Sequence, residues 1–266
     1  MDRNTDRGLL VVSFGTSVNE TREKNIDAIE RELASDFPDR RLYRAWTSGV
    51  IIRKLKRRDG LEIDTVREAM ERMLSEGITD LLVQPSHVIC GIENDHMTEE
   101  IMAYAERFAR ICIGSPLLSD EEDSRAIVAA LMEECGPLAA DEALVFMGHG
   151  TPHDVNPVYE ALDRRFKDRG YSNVFVGTVE AYPSFESLVK SVRACGAKRV
   201  ILTPFMVVAG DHALNDMAGP EDSWRERFRA AGFEVECVLK GLGEYESIRR
   251  LYVKHAEEAL NKEQVG

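Results

Sequence analysis

The sequence predicts an α/β protein of two pseudo-symmetric, doubly wound lobes, each with a parallel four-stranded sheet. Three observations predict it. Short apolar runs alternate with amphipathic helical patterns along the chain. The runs are apolar throughout rather than at every second residue, as in strands covered on both faces by right-handed crossover helices. The plan of the first half then restarts in the second. With 266 residues, 44% of them hydrophobic, each half can enclose a core. The lobes are expected at residues 1–139 and 140–266.

The first strand is the run Leu9 to Phe14. Ser17 and Glu20 stand at capping-box spacing, and Ile26, Ile29 and Leu33 recur at helical intervals until Pro38 stops the pattern. Arg41 to Trp46 reads as the second strand. Asp64 is placed to cap a helix carrying Val66, Met70, Met73 and Leu74, which closes at Gly77 and delivers the strand Ile78 to Gln84. A further helix and the strand Arg110 to Ser115 complete the half. The second half gives strands at Ala143 to Met147, Asn173 to Thr178, Arg199 to Pro204 and Glu234 to Leu239. Between and after them lie helices at Pro157 to about Lys167, Phe185 to Cys195, Trp224 to Ala230 and from Tyr245 onward.

Composition narrows the partners. The five cysteines are odd in number, scattered and without a C-x-x-C pair, so they read as reduced thiols. A net charge of -13 disfavours nucleic acid, whose phosphates require a basic face. No apolar run approaches the roughly 20 residues that span a bilayer, so no membrane partner and a cytoplasmic location are expected. The cations are uneven: Arg53, Lys54, Lys56, Arg57 and Arg58 form one short run, read either as a solvated helix face or as a patch for carboxylates of an acidic ligand. Homo-oligomerisation is compatible with the sequence and is not specified by it.

The halves align at their strand ends, where open parallel sheets bind ligands. Val12-Ser13-Phe14-Gly15-Thr16 corresponds to Met147-Gly148-His149-Gly150-Thr151, and Pro85 to Glu93 corresponds to Pro204 to His212. Phe14 is thus the counterpart of His149, and Glu93 of His212. The alignment is weakest across the long connection from Ser48 to Asp64. His149, Glu180 and His212 follow three successive strands, and strand ends in a parallel sheet lie together, so these side chains are expected to converge on one metal ion. A single histidine at a strand end usually serves as a hydrogen-bonded structural residue; the conjunction of two imidazoles and a carboxylate points instead to a borderline divalent ion such as cobalt, nickel, zinc or iron. His153 and Asp154 read as supports for that site or as polar residues before a helix, His87 as a structural histidine or a ligand contact, and His255 as solvated.

At these residues the sequence resembles the anaerobic cobaltochelatases, the class II family that inserts cobalt into sirohydrochlorin during cobalamin biosynthesis. The phrases that carry the resemblance are Val12-Ser13-Phe14-Gly15-Thr16-Ser17, Met147 to His153 with Asn156 and Tyr159, Val176-Gly177-Thr178-Val179-Glu180, and Pro204 through Gly210-Asp211-His212-Ala213 to Asn215-Asp216-Met217-Ala218-Gly219. They extend from about Gly8 to His255. One departure is Ala181, where glycine is expected before Tyr182-Pro183.

The resemblance implies that His149, Glu180 and His212 hold the substrate Co2+, that a sirohydrochlorin-type tetrapyrrole is the partner of the divalent metal, and that no nucleotide is used. The chain contains no G-x-x-x-x-G-K-[ST] phosphate cradle. Catalytic roles are expected for His149, His212 and Glu93 as proton acceptors. The tetrapyrrole is expected against Phe14, with Gly15, Thr16 and His87 around it. The same ligands suit a sirohydrochlorin ferrochelatase or nickel chelatase, and a non-catalytic tetrapyrrole or metal carrier is the alternative from another class.

Overall fold

The computed structural model describes residues 6–262. In the first half Leu9, Leu10, Val11 and Val12 of β1 (Arg7–Ser13) have no exposed surface. β1 pairs in parallel with β2 (Arg41–Trp46) and β3 (Asp80–Pro85), and β4 (Arg110–Ile113) adds to β3, giving the order β2-β1-β3-β4. A strand paired on both edges and covered on both faces needs apolar side chains at consecutive positions, hence the unbroken run. The second half repeats the plan with β5 (Glu142–Gly148), β6 (Val174–Thr178), β7 (Arg199–Pro204) and β8 (Glu234–Cys237) in the parallel order β6-β5-β7-β8. Val12 is opposite Pro85 in one sheet and Met147 opposite Pro204 in the other. Matching register makes Val12 the equivalent of Met147 and Pro85 that of Pro204, and counting on along the chain sets Phe14 against His149 and Glu93 against His212.

Ten α-helices are present among the described residues: α1 (Asn19–Lys24), α2 (Ile26–Asp36), α3 (Gly49–Asp59), α4 (Val66–Ser75), α5 (Ile92–Met102), α6 (Glu121–Cys135), α7 (Pro157–Asp168), α8 (Phe185–Ala194), α9 (Trp224–Ala230) and α10 (Glu246–Lys262). Leu10 and Val12 of β1 share a core with Val66, Met70 and Met73 of α4 and with Met97 and Ile101 of α5. Val145 and Met147 of β5 share another with Phe185, Leu188 and Val192 of α8 and Trp224 and Phe228 of α9. None of the helices is long and apolar enough to cross a membrane.

The expected helix after β1 is two helices. Ser17 does not cap the first; its hydroxyl accepts from Lys54 Nζ at 3.0 Å, and Val18 takes the N-cap position without a side-chain bond. The break falls at Asn25, whose φ/ψ is -114°/-72° and whose side-chain amide donates to Thr21 O. The cap of α4 is Thr65 rather than Asp64, through a reciprocal box with Glu68. Asp64 is used otherwise, its carbonyl accepting from Trp46 N beside β2. α3 fills the connection where the repeats failed to align, and the basic run lies on it. α6 was not foreseen.

The compact units also differ from the expected division at residue 139. The first comprises the described residues up to Ser119 together with those from Arg249 onward, and the second is Asp120–Ile248. α6 belongs to the second unit because it packs on α7, with Arg165 Nη2 2.5 Å from Glu121 Oε1. Most of α10 belongs to the first, where Tyr252 donates to Ser86 O at 2.9 Å. His255, expected in solvent, is only 3% exposed, and its Nδ1 lies 3.1 Å from Ser115 O. The charges of Lys254, Glu257 and Glu258 fall on the outer side of a helix whose inner side is Tyr252, Val253, His255, Ala256 and Ala259.

Candidate metal centre

In the second unit, β5, β6 and β7 are neighbours that end on the same side of the sheet, and each delivers one polar side chain. Gly148 closes β5 and His149 follows it. A Cβ on Gly148 would stand 2.6 Å from Tyr159 Cε1, so only glycine lets the Tyr159 ring support this turn from below. Burial pushes the Tyr159 hydroxyl up to about 12, and it receives the Gly150 N–H. Gly150 has φ +85°, and a Cβ there would stand 3.0 Å from the methyl of Ala181, which holds the chain next to Glu180. The two segments stay in register past the strands: Val179 N donates to Gly148 O and Glu180 N to His149 O, at 3.1 and 3.0 Å. His212 ends the loop after β7 and opens a π-helical turn, Ala213–Met217.

His149 and His212 meet ring to ring. Their centroids are 4.4 Å apart at an interplanar angle of 81°, and the two Nε2 atoms are 3.1 Å apart. Each Nδ1 has an acceptor of its own: Gly150 O at 2.8 Å for His149, and Asp216 Oδ2 at 2.6 Å for His212. In the tautomer with both Nδ1 atoms donating, both Nε2 atoms carry lone pairs directed at one another, an arrangement that a cation between them would stabilise. Metal–imidazole bonds of about 2.0–2.1 Å at angles from about 90° to 109° put the two nitrogens roughly 2.9–3.4 Å apart. The observed spacing falls in that interval. The Asp216–His212 pair is the carboxylate–imidazole arrangement that fixes the tautomer of a metal ligand.

Glu180 is next to this pair without completing it. Its Oε2 is 3.9 Å from His149 Nδ1, on the side of the ring away from His212, and among the described residues no three metal-binding groups are already gathered around one point. The side chain is 54% exposed while its backbone is pinned, so a rotamer change alone relocates the carboxylate. His153 does not join the cluster: its Nδ1 accepts from Val155 N at 3.2 Å and so organises the turn that leads into α7.

A family model for cobalt chelatase (CbiK) matches residues 7–261. The chain belongs to this cobalt chelatase family. Within it, the chain is 44% identical over 256 residues to the sirohydrochlorin cobaltochelatase of Salmonella typhimurium, covering 96% of this chain and 97% of the relative. It is 31% identical over 261 residues to the sirohydrochlorin cobaltochelatase CbiKC of Nitratidesulfovibrio vulgaris, covering 97% and 92%. The fold is that of SirB from Bacillus subtilis, solved with Fe3+, with a TM-score of 0.68 at 17% identity over 97% and 98% of the two chains.

The equivalent strand ends of the first unit carry different chemistry. Phe14, in the position of His149, is 48% exposed. Of the four residues expected around the tetrapyrrole, it alone presents much surface. Gly15, at φ +102°, lies on the Trp46 indole, whose Cε3 would be 2.5 Å from an added Cβ. Thr16 is buried, and its hydroxyl accepts from Val18 N at 3.3 Å. His87 is 8% exposed, and neither ring nitrogen has a well-formed hydrogen bond; burial pushes its pKa down to about 4, opposed by the neighbouring Asn94 amide. These three shape the ground beneath Phe14 rather than offering contact surface. Glu93 is exposed in the first turn of α5. Sequence reasoning assigned Asp216 no role, although an aspartate one helical turn after His212 was a readable signal.

Proposed function

We propose that this chain inserts Co2+ into sirohydrochlorin without nucleotide hydrolysis. The observation that carries the reading is the opposed pair of Nε2 atoms, each made a lone-pair donor by an acceptor held on its own Nδ1. Two imidazoles with Glu180 in reach form a partial shell for a borderline divalent ion, with positions left for water or for an incoming pyrrole nitrogen. A partial shell suits an ion that must be handed on.

Metallation places the ion on the macrocycle and releases two pyrrole protons. As the ion leaves, the two Nε2 lone pairs become free, so His149 and His212 are the proton acceptors nearest to the event. Phe14 offers an exposed ring to the apolar macrocycle, above Gly15, Thr16 and His87, and Glu93 supplies a further carboxylate for a proton or a substrate contact. Family membership supports cobalt as the metal.

The test is to add purified protein in catalytic amount to sirohydrochlorin with cobalt, iron or nickel separately, following the macrocycle absorbance. The expected result is many turnovers, fastest with cobalt. Faster insertion of iron or nickel would reassign the metal, and insertion limited to one equivalent per protein would make the chain a carrier.

A further inference from the structure

The substrate just proposed carries a periphery of acetate and propionate groups, whereas the protein has 47 acidic residues against 34 basic ones. At long range the two repel, so close approach needs a local patch of opposite sign. The densest cationic run of the chain lies on α3, the helix by which the connection from β2 to β3 exceeds that from β6 to β7. The insertion that breaks the internal repeat is therefore also the one that concentrates positive charge.

Its placement in the first unit is specific. Thr47 N donates to Ser13 O at 2.9 Å and Ser48 N to Phe14 O at 3.2 Å, so the start of α3 is tied to the loop that presents Phe14. Val50, Arg53, Lys54 and Arg57 are spaced to share one face of the helix, and all four are exposed, with Leu55 buried on another side. Lys54 Nζ is 3.0 Å from Ser17 Oγ, in the same loop as Phe14. Arg53 folds back toward the helix start: its Nη1 is 3.1 Å from where a Cβ on Gly49 would stand.

The cations of this run divide in two. Lys56 pairs with Glu62 at 3.0 Å and Arg58 with Asp59 at 2.6 Å. Arg53 and Arg57 have no carboxylate partner among the described residues. Two forked guanidiniums without carboxylate partners among the described residues, sharing a face with exposed Val50 on a helix tied to the loop of the exposed Phe14 ring, match a flat ligand that is apolar on its face and anionic on its edge.

We propose that the Val50, Arg53, Lys54 and Arg57 face of α3, next to Phe14, is a specificity rim that binds the peripheral carboxylates of the tetrapyrrole. The inference rests on the reading of the chain as a sirohydrochlorin chelatase. It concerns binding of the macrocycle and not handling of the metal.

Metal-free sirohydrochlorin, titrated into the full chain and followed by its fluorescence, reads this binding without any turnover. The double variant Arg53→Ala, Arg57→Ala is expected to weaken binding on the order of tenfold, with Arg53→Lys, Arg57→Lys recovering part of it and Lys56→Ala leaving it unchanged. Added NaCl is expected to weaken the wild type more than the double variant. In turnover, KM for the tetrapyrrole rises while kcat and the cobalt dependence stay within about twofold. Equal affinity and equal salt dependence in wild type and double variant would overturn the rim. Wild-type protein that binds the macrocycle with this arginine dependence but inserts no metal would overturn the chelatase reading and leave the rim standing; no binding by the wild type would overturn both.

Discussion

The two units set different side chains on nearly the same scaffold. At the ends of β5 and β7 stand His149 and His212, with nitrogens 3.1 Å apart; at the equivalent ends of β1 and β3 stand Phe14 and Glu93. The supporting layer differs as well. Asp216 orients His212 from one helical turn away, whereas the residue one turn after Glu93 is Met97, 1% exposed in the core. Equivalent strand ends supply positions, and on the proposed reading the layer behind them decides whether a position becomes a ligand.

The sharpest way to break the comparison is to remove the imidazole at one end. His149→Ala is expected to lower cobalt insertion more than about 100-fold, because outer partners alone are worth about 10–100-fold. The side chain is 39% exposed, so the melting temperature should stay within about 2 °C. Turnover by absorbance and melting by circular dichroism check the two halves of the claim; wild-type turnover would remove His149 from the chemistry.

His87 separates the two frames by acid stability. Its counterpart in the second repeat is Met206, and its own pKa is about 4 against 6.5 in the unfolded chain. Between those values the unfolded chain takes up a proton that the folded one refuses. Stability is therefore level above pH 6.5 and falls as pH drops through the window, by roughly 3 kcal/mol from this group. His87→Met should flatten that limb in urea titrations between pH 7 and pH 4, and parallel curves for both proteins would show that the imidazole is not held neutral.

Asp216→Asn keeps the shape next to His212 and removes the charge. A loss of about 10–100-fold in cobalt affinity is expected, read by titration of the cobalt absorption bands. Unchanged affinity would mean that His212 needs no orienting carboxylate. The mildest effect tests transplantation. Phe14→His with Glu93→His, made in a His149→Ala background, should leave cobalt binding at least about tenfold weaker than the native pair, since Met97 supplies no acceptor. Native affinity in that variant would show that position alone suffices.

Strand existence, the parallel arrangement and the equivalence of Phe14 with His149 were legible because buried strands print an apolar run and strand ends print Gly-rich turns. The meeting of His149 with His212 followed from sheet topology. Other features depend on contacts that no local pattern carries. Ser17 has cap spacing, but Lys54 from a distant helix occupies its hydroxyl. Asp64 has a capping side chain, but its backbone is drawn to Trp46, so the next residue caps. His255 is surrounded in sequence by charges that face outward, which hides the inward side of its helix. The position of the Glu180 carboxylate was not legible either, because an exposed rotamer is set by what it binds.

α10 gives the first unit an unusual schedule. The second unit is one unbroken stretch, Asp120–Ile248, whereas the first lacks the buried side chains Tyr252, Val253, His255 and Ala256 until the chain has been made through residue 256. During synthesis the lobe made last can therefore finish folding before the lobe made first, which waits with an open apolar groove for its final helix.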